Sequence, residues 1–98
     1  HVQLTLDMSS FYRVQLHETH FDACSLKNVD FAEADLRDAS FVGSTLEGAM
    51  FENTTLTGAD FSGAFAYVLD PEMNILKGAK FSTDGLAGLL TKYQIVVE

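Results

Sequence analysis

The sequence predicts a solenoid, and three observations predict it. Leu and Phe alternate at every fifth position without a slip: Leu6, Phe11, Leu16, Phe21, Leu26, Phe31, Leu36, Phe41, Leu46, Phe51, Leu56 and Phe61. A smaller residue stands two places before each of the later ones, namely Cys24, Val29, Ala34, Ala39, Ser44, Ala49, Thr54 and Ala59. Glycine recurs two places after them, at Gly43, Gly48, Gly58 and Gly63. A period of five fits neither the helix nor the strand. A fixed short period instead describes units that bury their apolar faces only by stacking on one another.

Segments such as Ala34-Asp35-Leu36-Arg37-Asp38 and Ala59-Asp60-Phe61-Ser62-Gly63 resemble the A(D/N)LXX unit of the pentapeptide-repeat family. The resemblance runs over residues 4 to 64, and to 81 with one degenerate turn. It implies an all-β solenoid: a right-handed quadrilateral β-helix in which each pentad makes one side and four pentads make a coil. The large residue and the small one before it point inward, and the other three point out. Residues twenty apart then stack, so Phe11, Phe31 and Phe51 form one column and Phe21, Phe41 and Phe61 the opposite one. Leu fills the two remaining sides. The whole chain, 1–98, is expected to be one domain.

Taken in order, residues 1 to 20 form the least regular coil; Leu4 and Leu6 keep the phase, and His1 suits a large inward position poorly. A chain that starts with His1 rather than Met fits a portion of a longer protein with further coils. Residues 21 to 64 are the regular coils, with glycine at corners that need positive φ. Between 65 and 75 the pattern breaks, yet Leu76, Ala79 and Phe81 return in phase. A distorted coil is therefore expected, with Ala66 and Pro71 at the large inward positions and Pro71 at a bulge or loop. Phe65 and Tyr67 would then point outward as an aromatic contact pair.

Residues 82 to 98 change character. Ser82, Thr83 and Asp84 read as the start of a short α-helix, with Ser82 or Thr83 as its cap. Leu86, Leu89, Leu90 and Tyr93 recur at helical spacing and make one apolar face. Gln94 to Val97 read as a short strand or tail. This segment is expected to lid the open end of the solenoid. Quinolone-resistance members of the family dimerise through a comparable helix and tail, so the same residues are candidate homodimer contacts.

Six Lys and Arg stand against fourteen Asp and Glu, for a formal charge of −8. That balance argues against direct contact with nucleic acid or an anionic membrane. A basic protein partner is its natural complement. No apolar run is long enough to span a membrane. Cys24, the one cysteine, falls at a small inward position and reads as a packed thiol in a reducing, cytoplasmic chain. His17 and His20 point outward on neighbouring sides with no third ligand near in sequence, so no metal site is expected. No cofactor motif is present. A filled bore leaves no pocket, and Asp35 and Asp38 lie on a flat exposed side, so enzymatic chemistry is not expected.

Mapping the outward positions collects Asp30, Glu33, Glu52, Asp70 and Glu72 on one side, with Arg13 as its only base at the far end. Glu52 and Glu72 are expected to stack one coil apart, a like-charge contact that destabilises unless water screens it or a partner uses it. Members of the family that protect DNA gyrase are acidic rods resembling a DNA duplex, and the resemblance implies the same role for this side. Those proteins also carry projecting loops, and no insertion interrupts residues 6 to 61. The alternatives are a solvated wall and a structural repeat domain of a larger protein.

Overall fold

The computed structural model describes residues 5–90 and residue 94. Through them runs a ladder of parallel bridges in which each residue pairs with one twenty positions on. Ser10 pairs with Asp30 and Asp30 with Met50; Gln15 pairs with Asp35 and Asp35 with Thr55. Strand β1 (Asp60–Phe61) pairs in parallel with β2 (Lys80–Phe81), with Phe61 opposite Phe81. Four such ladders, one per side, make the solenoid.

The corners explain the period. The N–H three residues beyond the large one donates back to the large residue's carbonyl, as Ala34 does to Phe31 and Ala39 to Leu36, each at 3.1 Å. The residue between them in third position takes positive φ, which with a preceding residue outside that region makes a type II turn. Gly43, Gly48, Gly58, Gly63 and Gly78 occupy it with φ of 71–74°. Met8, Arg13, Glu18, Ala23, Asn28, Glu33, Asp38 and Asn53 hold the same left-handed position without glycine's freedom. Two extended residues and a turn therefore consume five residues.

Inside, the alternation of Leu and Phe fills the bore. Leu26, Leu36, Leu46 and Leu56 are fully buried, as are Phe31, Phe41 and Phe61. Within each Phe column the rings stack: Phe21 on Phe41 at 5.3 Å, Phe41 on Phe61 at 4.9 Å and Phe61 on Phe81 at 5.1 Å between centroids. Rings of opposite columns meet edge to face, Phe31 against Phe41 at 5.7 Å. Both arrangements are favoured by the aromatic quadrupole.

Three polar residues at the small inward position extend this logic. The Thr54 hydroxyl donates to the Phe31 carbonyl at 2.8 Å, and Ser44 does the same to Phe21. Asn74 donates to the carbonyls of Phe51 and Asp70 and accepts the Thr54 N–H, all at 3.0 Å. Each caps a carbonyl of the coil below, so burial costs no hydrogen bond.

The degenerate coil departs from the expected pattern. Ala66 and Pro71 are exposed, not inward, and Tyr67, expected outside, is buried at 3% relative exposure. Ala66 takes a φ of 63°, so the chain corners out of phase there. Alanine is too small to continue a column of Leu. Tyr67 turns in instead and packs against Phe61 at 5.6 Å and Phe81 at 5.7 Å, while Leu69 fills the next inward place. Phe65 does face outward, 55% exposed.

The C-terminal element is a 3-10 helix, Thr83–Leu89, rather than the expected α-helix. Its seven residues include Gly85 and Gly88, and glycine is a poor α-helix former. Three residues per turn bring those two glycines into line over Tyr67. A Cβ at Gly85 would overlap the Tyr67 hydroxyl, and one at Gly88 the Tyr67 carbonyl. Among the described residues no helix N–H donates to the Ser82 side chain. Its hydroxyl accepts the Gly63 N–H at 2.8 Å and so serves the coil below. Gln94, with a φ of 54°, is not extended; His1, Leu4, Tyr93 and the remainder of the expected tail lie outside the described residues.

Candidate functional site

The ladder sets Asp30, Glu33 and Glu52 along one side. Asp30 lies between Ser10 and Met50, and the Glu33 N–H donates to the Glu52 carbonyl at 2.8 Å. Asp30 is half-buried, its carboxylate accepting the Ala32 N–H at 2.9 Å. Glu33 and Glu52 are exposed. Asp70 repeats the Asp30 turn two coils on, accepting the Glu72 N–H at 2.9 Å.

Two features alter the expected stripe. Arg13, one coil below Glu33, donates to it from Nε at 3.3 Å, and the Tyr12 hydroxyl donates to it at 2.9 Å. That hydrogen bond to Glu33 raises the Tyr12 pKa, and the Arg13 guanidinium rests 5.1 Å from the Tyr12 ring centre. The row thus starts with a neutralised carboxylate. Further along, Pro71 opens a turn closed by the Met73 N–H on the Asp70 carbonyl at 3.1 Å. Among the described residues no bridge joins Met50 to Asp70. The Asn53 N–H reaches Met73 at 2.7 Å, where the regular offset would bring it to Glu72. The ladder that would seat Glu72 over Glu52 is slipped, so the expected direct stacking of those two is corrected. At the slip, the Asn74 amide takes the Phe51 and Asp70 carbonyls.

The expected lid residues divide. Tyr67 is core; Leu89 packs on the core and Leu90 is half-buried. Leu86 and Phe65 stay exposed. Burial raises the Tyr67 pKa, and its hydroxyl has no hydrogen-bond partner among the described residues. Val68, Met73 and Ile75 join Phe65 as exposed apolar side chains of the same coil. Sequence reading gave weight only to the aromatic pair, although Ile75 and Met73 fall at outward positions by simple counting. Counting by twenty would also have found a meeting of His17, Glu18 and Asp38 on the adjoining side.

The pentapeptide repeat region family matches residues 3–70, which is more than half of the chain. The chain belongs to the pentapeptide repeat family. No curated protein sequence matches it. Among solved structures, a pentapeptide repeat protein of the cyanobacterium Nostoc PCC 7120 superposes with a TM-score of 0.73 at 19% identity, covering 89% of this chain and 82% of that one. A pentapeptide repeat protein of the Arabidopsis thaliana thylakoid lumen is 33% identical, with a TM-score of 0.62, over 69% of this chain and 48% of that one. QnrB1, a plasmid-mediated fluoroquinolone resistance protein, gives a TM-score of 0.49 at 20% identity over 90% of this chain and 44% of that one. The chain thus spans about half the length of the latter two. The family match over residues 3–70 establishes the family, and the Nostoc and Arabidopsis structures its fold. No described helix is long and apolar enough to cross a membrane.

Proposed function

We propose that this pentapeptide repeat protein is a non-catalytic protein-binding module of the cytoplasm that engages a basic protein partner through its acidic side. One observation carries the reading. The bore is filled by Phe and Leu, Asp30, Glu33 and Glu52 lie on paired outer rungs, and the five-residue count assigns Asp70 and Glu72 to the same side. Whatever is recognised meets the outside, and the excess of fourteen acids over six bases sets the sign of its charge. Exposed Phe65, Val68, Met73 and Ile75 add apolar area in the last coil. The same apolar surface, with Leu86, would serve a homodimer.

The sharper form of this proposal is a DNA mimic that occupies the DNA site of a gyrase or related topoisomerase and so gives quinolone resistance. The acid excess supports it. The Arg13–Glu33 pair and the slipped ladder at Pro71 weigh against a regular phosphate-like row. Inhibition of gyrase supercoiling by the purified protein tests it. The mimic predicts inhibition at micromolar protein, abolished by Glu52→Lys with Asp70→Lys and Glu72→Lys. No inhibition removes gyrase from the proposal and leaves the binding module, for which a structural repeat domain of a larger protein is the remaining form.

A further inference from the structure

On the side adjoining the acidic one, the repeat assembles a mixed nitrogen and oxygen donor set that the sequence alone keeps apart. Glu18 and Asp38 are the left-handed corner residues of successive coils, with φ of 61° and 57°. The Glu18 N–H donates to the Arg37 carbonyl at 2.9 Å, which holds the two corners together. His17 precedes the first of them. Its Nε2 lies 3.7 Å from Glu18 Oε1 and 3.7 Å from Asp38 Oδ2. One donor atom from each of the three residues falls within 4.8 Å of the other two.

We propose that His17, Glu18 and Asp38 form a binding site for a divalent transition metal of the zinc class. One imidazole nitrogen and two carboxylate oxygens are a ligand set for such ions. Bonds of about 2.0–2.2 Å in a tetrahedron place ligand atoms roughly 3.4 Å apart. The observed separations approach that, and all three side chains are exposed and free to rotate the remaining fraction. The nearest guanidinium does not fill the place. Arg37 lies within electrostatic reach of Asp38, but its Nε and Nη2 donate to Asp35 at 2.9 and 2.7 Å. Three ligands from one chain leave the fourth position open to water or to a donor from another molecule. The site ties the first coil to the second, so an ion there resists their separation. His20 is not part of it; its Nδ1 faces Asp22 at 3.5 Å.

Zinc chloride titrated into the protein and followed by calorimetry tests the proposal, with cobalt(II) absorption as an independent readout of coordination. His1 is replaced by Ala throughout, so that His17 and His20 are the only histidines left. The expected result is one equivalent of zinc bound, a cobalt d–d spectrum, and loss of both in His17→Ala and Asp38→Asn. His20→Ala retains both. Circular dichroism of the variants checks that the fold persists, and these exposed substitutions leave it unchanged. No uptake of zinc, or uptake that survives His17→Ala, overturns the site.

Discussion

Phe41 and Phe61, twenty residues apart, lie with ring centroids 4.9 Å apart and planes 10° from parallel. Both are fully buried. Each also meets Phe51 of the facing column edge to face, at 6.2 and 6.1 Å. Phe41→Ala therefore removes a ring from two sets of contacts at once. We expect a loss of about 3–5 kcal/mol. Phe11 is only half-buried in the first described coil, and Phe11→Ala is expected to cost less. Urea denaturation of both variants checks the order.

Backbone contacts hold the C-terminal 3-10 helix alongside the packing of Leu89. The Gly88 carbonyl accepts the Leu69 N–H at 3.0 Å, and a side chain on Gly88 would run into the Tyr67 backbone. Gly88→Ala is expected to unseat the 3-10 helix at a cost of about 1–3 kcal/mol. Amide exchange should show it locally, as lost protection at Leu69. Gly43→Ala makes a contrast: a Cβ there meets nothing within 4 Å, and its cost comes only from the φ of 72°. Leu69 should keep its protection in that variant.

Asn74 is a buried polar residue whose side chain serves three backbone groups, the Thr54 N–H and the Phe51 and Asp70 carbonyls. Asn74→Ala leaves all three without that partner. The expected loss is about 1–3 kcal/mol, read from the thermal transition. A surface change such as Glu47→Ala is expected to stay within about 0.5 kcal/mol.

Acid should weaken the fold through particular carboxylates. The Ser62 side chain and N–H hold the Asp60 pKa below its ordinary value, and the Arg37 guanidinium does the same for Asp35. A group depressed in the folded state contributes stability above its unfolded pKa, about 3.9 for Asp. That contribution disappears as pH falls through the folded pKa. The double variant Asp35→Asn, Asp60→Asn should therefore be less stable than the parent at pH 7. The gap should close as the pH drops below about 4. Urea midpoints at neutral and acid pH provide the comparison, and the parent's other acids cancel between the two chains.

The regular coils were legible because large and small inward residues alternate without interruption, so counting by five fixes each residue's side and counting by twenty its neighbour. The Arg13–Glu33 pair and the meeting of His17 with Asp38 follow from the same count. Residues 66–74 were misread because the count says which positions point inward, not whether their occupants fill the space. Ala66 leaves room, and Tyr67 takes it by cornering early. Asn74 falls at the small inward position by the count, but its bonds to the Phe51 and Asp70 carbonyls do not follow from it. In the lid, the Leu spacing suggested an α-helix, whereas the spacing of Gly85 and Gly88 matches the three-residue turn that lets Tyr67 fit beneath. Counting sets Asp30, Glu33 and Glu52 in adjoining coils, while the slip at Pro71 depends on hydrogen bonds that no periodicity records.

Stability follows the twenty-residue ladder and not the amount of chain. Two deletions compare these directly by thermal unfolding. Removing residues 26–45 takes out one whole coil and joins Ser25 to Leu46 in phase, which brings Phe51 over Phe11 and Phe61 over Phe21. Removing Asp35 alone shifts every later residue by one place. A cooperative transition is expected in the first variant and a lower or absent one in the second. A single-residue deletion that unfolds at the higher temperature would contradict it.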